Sequence, residues 1–117
     1  MVATPRREFR LRDRLAAVRA ASPYSFVVID CPPSLGLLTL NALVAADSVL
    51  VPLQCEFYAL EGISSLMHTI EIVRRSFNPS LQLQGVVLTM FDRRNRLSDL
   101  VANDARDHFG EWVYDTV

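Results

Sequence analysis

Lysine is missing from this 117-residue chain, and all twelve of its basic residues are arginine. That excludes Schiff-base chemistry on a lysine side chain. Glycine occurs four times only, at Gly36, Gly62, Gly85 and Gly110, always far apart. With neither clustered glycines nor a lysine, these residues cannot form a phosphate-cradling G-x-x-x-x-G-K-[ST] loop. No apolar run approaches the roughly 18 residues of a membrane-spanning helix. The opening MVATPRREFRLRDRL has the arginines of a signal peptide but no apolar core after them, so the cytosol is the expected compartment. The two cysteines, Cys31 and Cys55, suit that compartment as packed, reduced thiols. With His68 and His108 on helical faces, the four show no metal-ligand spacing. The formal net charge of −1 gives no global attraction to nucleic acid or an anionic membrane.

What remains is half apolar, enough for one domain with a sizeable core. Residues 8–20, EFRLRDRLAAVRA, put Leu11, Leu15 and Val18 on one face of a surface helix, which Ser22-Pro23 ends. Residues 25–30 are apolar without alternation, the pattern of a strand covered on both faces. GLLTLNALVAA (36–46) is apolar nearly all round and predicts a buried helix, and SVLVPL (48–53) predicts a short strand. Leu60, Ile63, Met67, Ile70 and Val73 stripe a helix over 58–75, closed by the turn at Asn78-Pro79. LQLQGVVLTMF (81–91) predicts another strand, and Leu97, Leu100, Val101 and Ala105 a further helix. EWVYDTV reads as a last strand. Strands alternating with helices in this way predict an α/β fold, a mostly parallel sheet with helices on both faces.

In an open α/β sheet, ligands collect outside the carboxyl ends of the strands. Those ends carry Asp30-Cys31, Gln54-Cys55-Glu56 and Asp92-Arg93-Arg94. Asp30 leaves its apolar strand where a cation or polar ligand could pair with its charge. Cys31 and Pro32 each precede a proline, which stiffens the exit until Gly36 allows the turn into the next helix. An apolar strand ending in aspartate is the Walker B pattern, in which the carboxylate holds Mg²⁺ near nucleotide phosphates. It is also the pattern of an acid that merely caps a strand.

The longer string separates the two. FVVIDCPPSLGLLTLNALVAADSVLVPLQCEFYALEGISSL, followed by GVVLTMFDRRNRLS, closely resembles the ParA/Soj chromosome- and plasmid-partitioning ATPases, from about Arg7 to Val117. DCPPSLG, PLQCEFYALEG and LTMFD carry the resemblance, and PLQCEFYALEG speaks against the division-site and cellulose-secretion cousins. The resemblance implies a P-loop NTPase fold that dimerises around two bound ATPs. It also implies Mg²⁺, non-specific DNA binding with nucleoid association, and a ParB-like centromere-binding partner, with no membrane. Asp30 would position Mg²⁺ through water, and Cys31, Pro32, Pro33 and Gly36 would belong to the switch segment that senses the γ-phosphate. Asp92 would lie near the base or the dimer interface.

This chain departs from the family pattern in having no counterpart to the glycine-rich loop with its two lysines, nor to the C-terminal part. Residues 1–117 thus look like the middle of a parent domain, and without the phosphate-binding loop the chain alone is expected not to hydrolyse ATP. Arg93, Arg94 and Arg96 are either a phosphate contact, with DNA among the possible ligands, or a solvated turn. The six arginines at positions 6–19 are either a solvated helix face or a DNA patch. Gln54 and Glu56 face the nucleotide or a dimer partner, with no role fixed. Two functional classes stay open: part of a partitioning ATPase, or a non-catalytic module that pairs with a full-length relative.

Overall fold

A computed structural model describes residues 6–21, 23–32, 36–56 and 59–115. A 3₁₀ turn (Arg7–Phe9) leads into helix α1 (Arg10–Ala21), followed by α2 (Leu37–Ala45) and strand β1 (Ser48–Gln54). Helix α3 (Ala59–Ser76), strand β2 (Gln82–Thr89), helix α4 (Arg96–Phe109) and a second 3₁₀ turn (Gly110–Trp112) complete the order. The chain divides into two compact units, Met1–Asp47 with Thr69–Leu81, and Ser48–His68 with Gln82–Val117.

In the first unit α2 is buried along Asn41–Ala45, as its nearly continuous apolar sequence requires. The polar Asn41 is tolerated there because both ends of its amide are used. Its Oδ1 accepts from the Leu11 backbone N–H at 3.2 Å, and its Nδ2 donates to the Leu37 carbonyl at 2.9 Å. Leu11 sits in the first turn of α1, whose N–H groups have no partner within the helix. Asn78 does the converse at the other end of α2. Its Nδ2 donates to the carbonyls of Leu43 (3.1 Å), Val44 (3.1 Å) and Ala46 (2.8 Å), the groups that a helix C-terminus leaves unpaired. Phe9 meets Phe77 edge-on at 5.6 Å, and the Arg12 and Arg6 guanidinium groups lie 4.4 and 5.2 Å from the Phe9 ring centre.

The expected strand at 25–30 does not form. Residues 26–32 belong to no helix or strand and are exposed, with Phe26 at 87% and Val28 at 91%. A strand exists only by pairing its N–H and C=O groups with a neighbour. Among the described residues none pairs with this stretch.

In the second unit β1 and β2 pair in parallel, Ser48 beside Gln82 through Gln54 beside Thr89, with an irregularity between Val49 and Leu50. Helix α3 lies between them in sequence, as a parallel pair demands. Val51, Leu53, Val86 and Leu88 pack with Ala59 and Ile63 of α3 and Val101, Ala102 and Ala105 of α4. Leu50, Pro52 and Gln54, on the alternate face of β1, are exposed. The last predicted strand is instead the 3₁₀ turn and one parallel bridge, Val86 to Val113, with the Tyr114 N–H donating to the Val86 carbonyl at 2.9 Å. Tyr114 crosses Gly85 so closely that a β-carbon there would come 2.5 Å from the ring. Glycine at 85 therefore answers to packing.

Cys55 belongs to this core, while Cys31 is exposed. Burial pushes the Cys55 thiol up, with the Arg106 guanidinium partly opposing. The folded state thus holds that proton more tightly than the unfolded chain. Stability from this group is complete below about pH 8.5, the ordinary thiol value, and falls as pH rises through the folded value. Urea midpoints measured across that range should decline in the wild type and less in Cys55→Ala. Asn78→Ala should cost about 1–3 kcal/mol by urea denaturation, since it strips three carbonyls of one donor group. Asn78→Asp should be no better, because a carboxylate would face those carbonyl oxygens and the negative end of α2.

Candidate nucleotide-binding site

Two sets of sequence-predicted residues fall in the two compact units, each with its own geometry. In the first, Asp30 follows the exposed run Phe26–Ile29 and is itself exposed, with no hydrogen bond or ion pair among the described residues. Cys31 is exposed, its Sγ 3.8 Å from the Ile29 carbonyl, and Pro32 is exposed beside it. Pro33 lies outside the described residues. Gly36 is the N-terminal cap of α2 and accepts the Leu40 N–H at 3.0 Å through its carbonyl. Its backbone, φ −84° and ψ −174°, is ordinary extended geometry, and a β-carbon there would meet nothing within 4 Å. The turn into α2 therefore does not need glycine, contrary to the sequence reading. A glycine cap supplies no side-chain acceptor to the first turn of α2.

In the second unit the carboxyl ends of β1 and β2 lie side by side, with Gln54 opposite Thr89 and the Cys55 N–H donating to the Thr89 carbonyl at 3.1 Å. Gln54 and Glu56 are exposed at this edge. The chain leaves β2 through Met90 at φ 55°, a left-handed conformation rare for a residue with a side chain. The loop that follows is held by its own polar groups. The Asp92 N–H donates to the Ser98 hydroxyl at 3.2 Å, and Asp92 Oδ1 accepts from the Arg94 N–H at 2.9 Å. The Arg94 Nε stands 3.6 Å from the same oxygen. Asn95 caps α4 by accepting the Leu97 N–H at 2.9 Å.

Asp92 is thus engaged in shaping its loop. Arg93 and Arg96 are exposed and, among the described residues, unpaired. Sequence reading missed Met90, Asn95 and Ser98. An asparagine three residues before a serine, at the start of an apolar stripe, was the available signal for the last two.

Could these residues hold Mg²⁺ and a nucleotide? Among the described residues no group of three or more His, Cys, Asp or Glu is gathered for a metal. Asp30 offers a single carboxylate. Mg²⁺ bound near phosphates commonly uses one or two protein carboxylates and takes its other oxygens from water and the phosphates themselves. The exposed Asp30 carboxylate fits that partial role. A P-loop cradle for the β- and γ-phosphates is not in this sequence, so the fit is incomplete.

Residues 1–83 match the family model of the AAA domain. The chain is 66% identical over 114 residues to the chromosome partitioning protein ParA of Caulobacter vibrioides, covering 97% of this chain and 43% of that protein. It is 49% identical over 117 residues to the sporulation initiation inhibitor protein Soj of Bacillus subtilis, covering 100% and 46%. Among solved structures, it resembles cobyrinic acid a,c-diamide synthase from Mycobacterium smegmatis with bound ADP and magnesium. That match has a TM-score of 0.80 and 42% identity over 92% of this chain and 43% of the other. A plasmid partition protein from Borrelia burgdorferi matches at TM-score 0.78 and 25% identity, over 99% and 46%. The chain spans less than half the length of these proteins. No helix among the described residues is long and apolar enough to cross a membrane. The parallel β1–β2 pair, the helices around it and the match over residues 1–83 agree: the chain belongs to the AAA domain family, within its ParA/Soj group of partitioning proteins.

Proposed function

We propose that this chain is the portion of a ParA-like partitioning ATPase that carries the Mg²⁺-positioning carboxylate and the switch segment. It serves DNA segregation only together with a phosphate-binding loop on further polypeptide. The observation that carries this is Asp30: an exposed carboxylate at the end of an apolar run, without a partner among the described residues and seven residues before the start of α2. Asp30 would hold Mg²⁺ through water, and Cys31, Pro32, Pro33 and Gly36 would approach the γ-phosphate. Asp92, Gln54 and Glu56 sit at strand ends where the base or a dimer partner would come. The active form is a homodimer around ATP that loads non-specific DNA and answers to a ParB-like centromere-binding partner, in the cytoplasm and on the nucleoid. A non-catalytic module that pairs with a full-length relative is the second reading, favoured by the bare apolar run at 26–29.

Phosphoryl transfer depends almost wholly on positioning and electrostatic stabilisation, so a carboxylate without the phosphate cradle should not catalyse it. The purified chain should release no phosphate from ATP above the protein-free rate, with or without Mg²⁺. Mg²⁺-dependent release that disappears in Asp30→Ala would overturn this. On DNA, Arg93, Arg94 and Arg96 form the candidate contact. Changing all three to glutamate should weaken binding to every sequence alike and flatten the salt dependence by ~0.9 in log–log slope for each phosphate no longer neutralised. An unchanged slope in a filter-binding titration would leave the solvated-turn reading.

A further inference from the structure

Six arginines lie between positions 6 and 19, and the structure accounts for four of them. Arg6 and Arg12 both pair with Asp13, at 3.2 and 3.5 Å, and both lie over the Phe9 ring. Arg7 pairs with Glu8 at 3.3 Å, and Arg19 with Asp47 at 3.0 Å. Arg10 and Arg14 are left. Among the described residues neither has a carboxylate, carbonyl or ring partner. They stand one helical turn apart, so their side chains share a face of α1.

Both line one open cleft of about 560 Å³ between α1 and α2, together with Leu11, Asp13, Leu38 and Asn41. Asp13 is already shared by Arg6 and Arg12, and the Asn41 amide is bonded at both ends. The cleft therefore offers two free guanidinium groups beside an apolar floor of Leu11 and Leu38, the latter 81% exposed.

We infer that this cleft is a docking site for an acidic amphipathic helix of a partner protein. Two carboxylates one turn apart on that helix match the spacing of Arg10 and Arg14, and an apolar side chain on the same face covers Leu38. Guanidinium groups pair with carboxylates through two parallel hydrogen bonds, and helix-in-groove binding reads anchors at such spacings. Charge complementarity with the apolar floor selects this occupant over a nucleic acid. Leu38, 81% exposed, offers nothing to a phosphodiester strand, whereas an apolar side chain of an amphipathic helix covers it. The inference does not depend on the partitioning reading.

The test is fluorescence polarisation of the full chain with a fluorescein-labelled helical peptide carrying glutamates four residues apart and leucines on the same face. The same peptide scrambled and a labelled DNA duplex are the comparisons. The patterned peptide should bind more tightly than the scrambled one, and added salt should weaken it. Arg10→Glu with Arg14→Glu should lower affinity roughly tenfold or more. Leu38→Ser should weaken binding while leaving its salt dependence in place, and Arg75→Glu, the same charge change outside the cleft, should leave affinity unchanged. Arg10 and Arg14 are exposed, so helical circular dichroism should persist, and Arg10→Lys with Arg14→Lys, which keeps the charge but loses the paired hydrogen bonds, should bind more weakly than the wild type and more tightly than the double reversal. Equal binding of the scrambled peptide, or none of either, would overturn the inference. So would DNA binding that the double reversal abolishes, or self-association that it abolishes, since the occupant would then be nucleic acid or a second copy.

Discussion

The Asn78 side-chain amide holds the three carbonyl oxygens at the end of α2, and the first compact unit is arranged around that contact. A buried helix cannot end without settling its last carbonyls, and α2 is too apolar to turn that end to water. Asn41 settles the start of α1 by the same device, from within α2 itself. Two asparagines thus tie three chain segments together by satisfying backbone groups that would otherwise cost about 1–3 kcal/mol each when buried. The second unit meets the same requirement by a different route. Its backbone groups are paired along β1 and β2, and its loop at Asp92 is closed by Ser98 and Asn95.

That requirement also explains which parts of the fold are legible in the sequence. Helices at 10–21, 37–45, 59–76 and 96–109 are readable because a helix satisfies its own backbone and its apolar spacing is local. The runs at 48–54 and 82–89 become strands because each has the other. FVVID has the same apolar character and is a better strand former than either, yet it remains unpaired, since pairing is a property of neighbours that a single run does not contain. EWVYD fails as a strand for a local reason. Gly110 stands at φ 55° and ψ −121°, the chain tightens into a 3₁₀ turn, and contact with β2 is limited to the Val113 bridge and Tyr114. At the candidate site, Asp30 and Asp92 both follow predicted strands and look alike in sequence. The fold distinguishes them: Asp92 is engaged by Arg94 and its own loop, while Asp30 has no partner among the described residues.

An arginine-only chain has consequences for what its cations can do. A guanidinium stays charged at any ordinary pH and presents a planar fork, so it stacks on rings and grips carboxylates, as Arg12 and Arg6 do at Phe9 and Asp13. It does not substitute for the compact ammonium that a phosphate loop directs at the β- and γ-phosphates. The basic residues of this chain are therefore suited to surfaces and partners.

The position of the Asp30 carboxylate is tied to the bare run before it. Phe26 and Val28 fall on one side of an extended chain, Val27 and Ile29 on the other, and all four are apolar. Such a stretch is stable only inside a sheet covered on both faces, where each buried side chain gains about 1.5–3 kcal/mol. A single paired strand would fix the backbone through Asp30 at the same time. For a Mg²⁺ ion that demands near-ideal octahedral geometry, that fixation matters more than the charge itself. Under the proposed function, pairing of residues 26–29 within a sheet would also set the place of the Asp30 oxygens. The apolar energy of the strand offsets the entropy of ordering the site. In that reading the apolar run would be the anchor and the aspartate what it anchors.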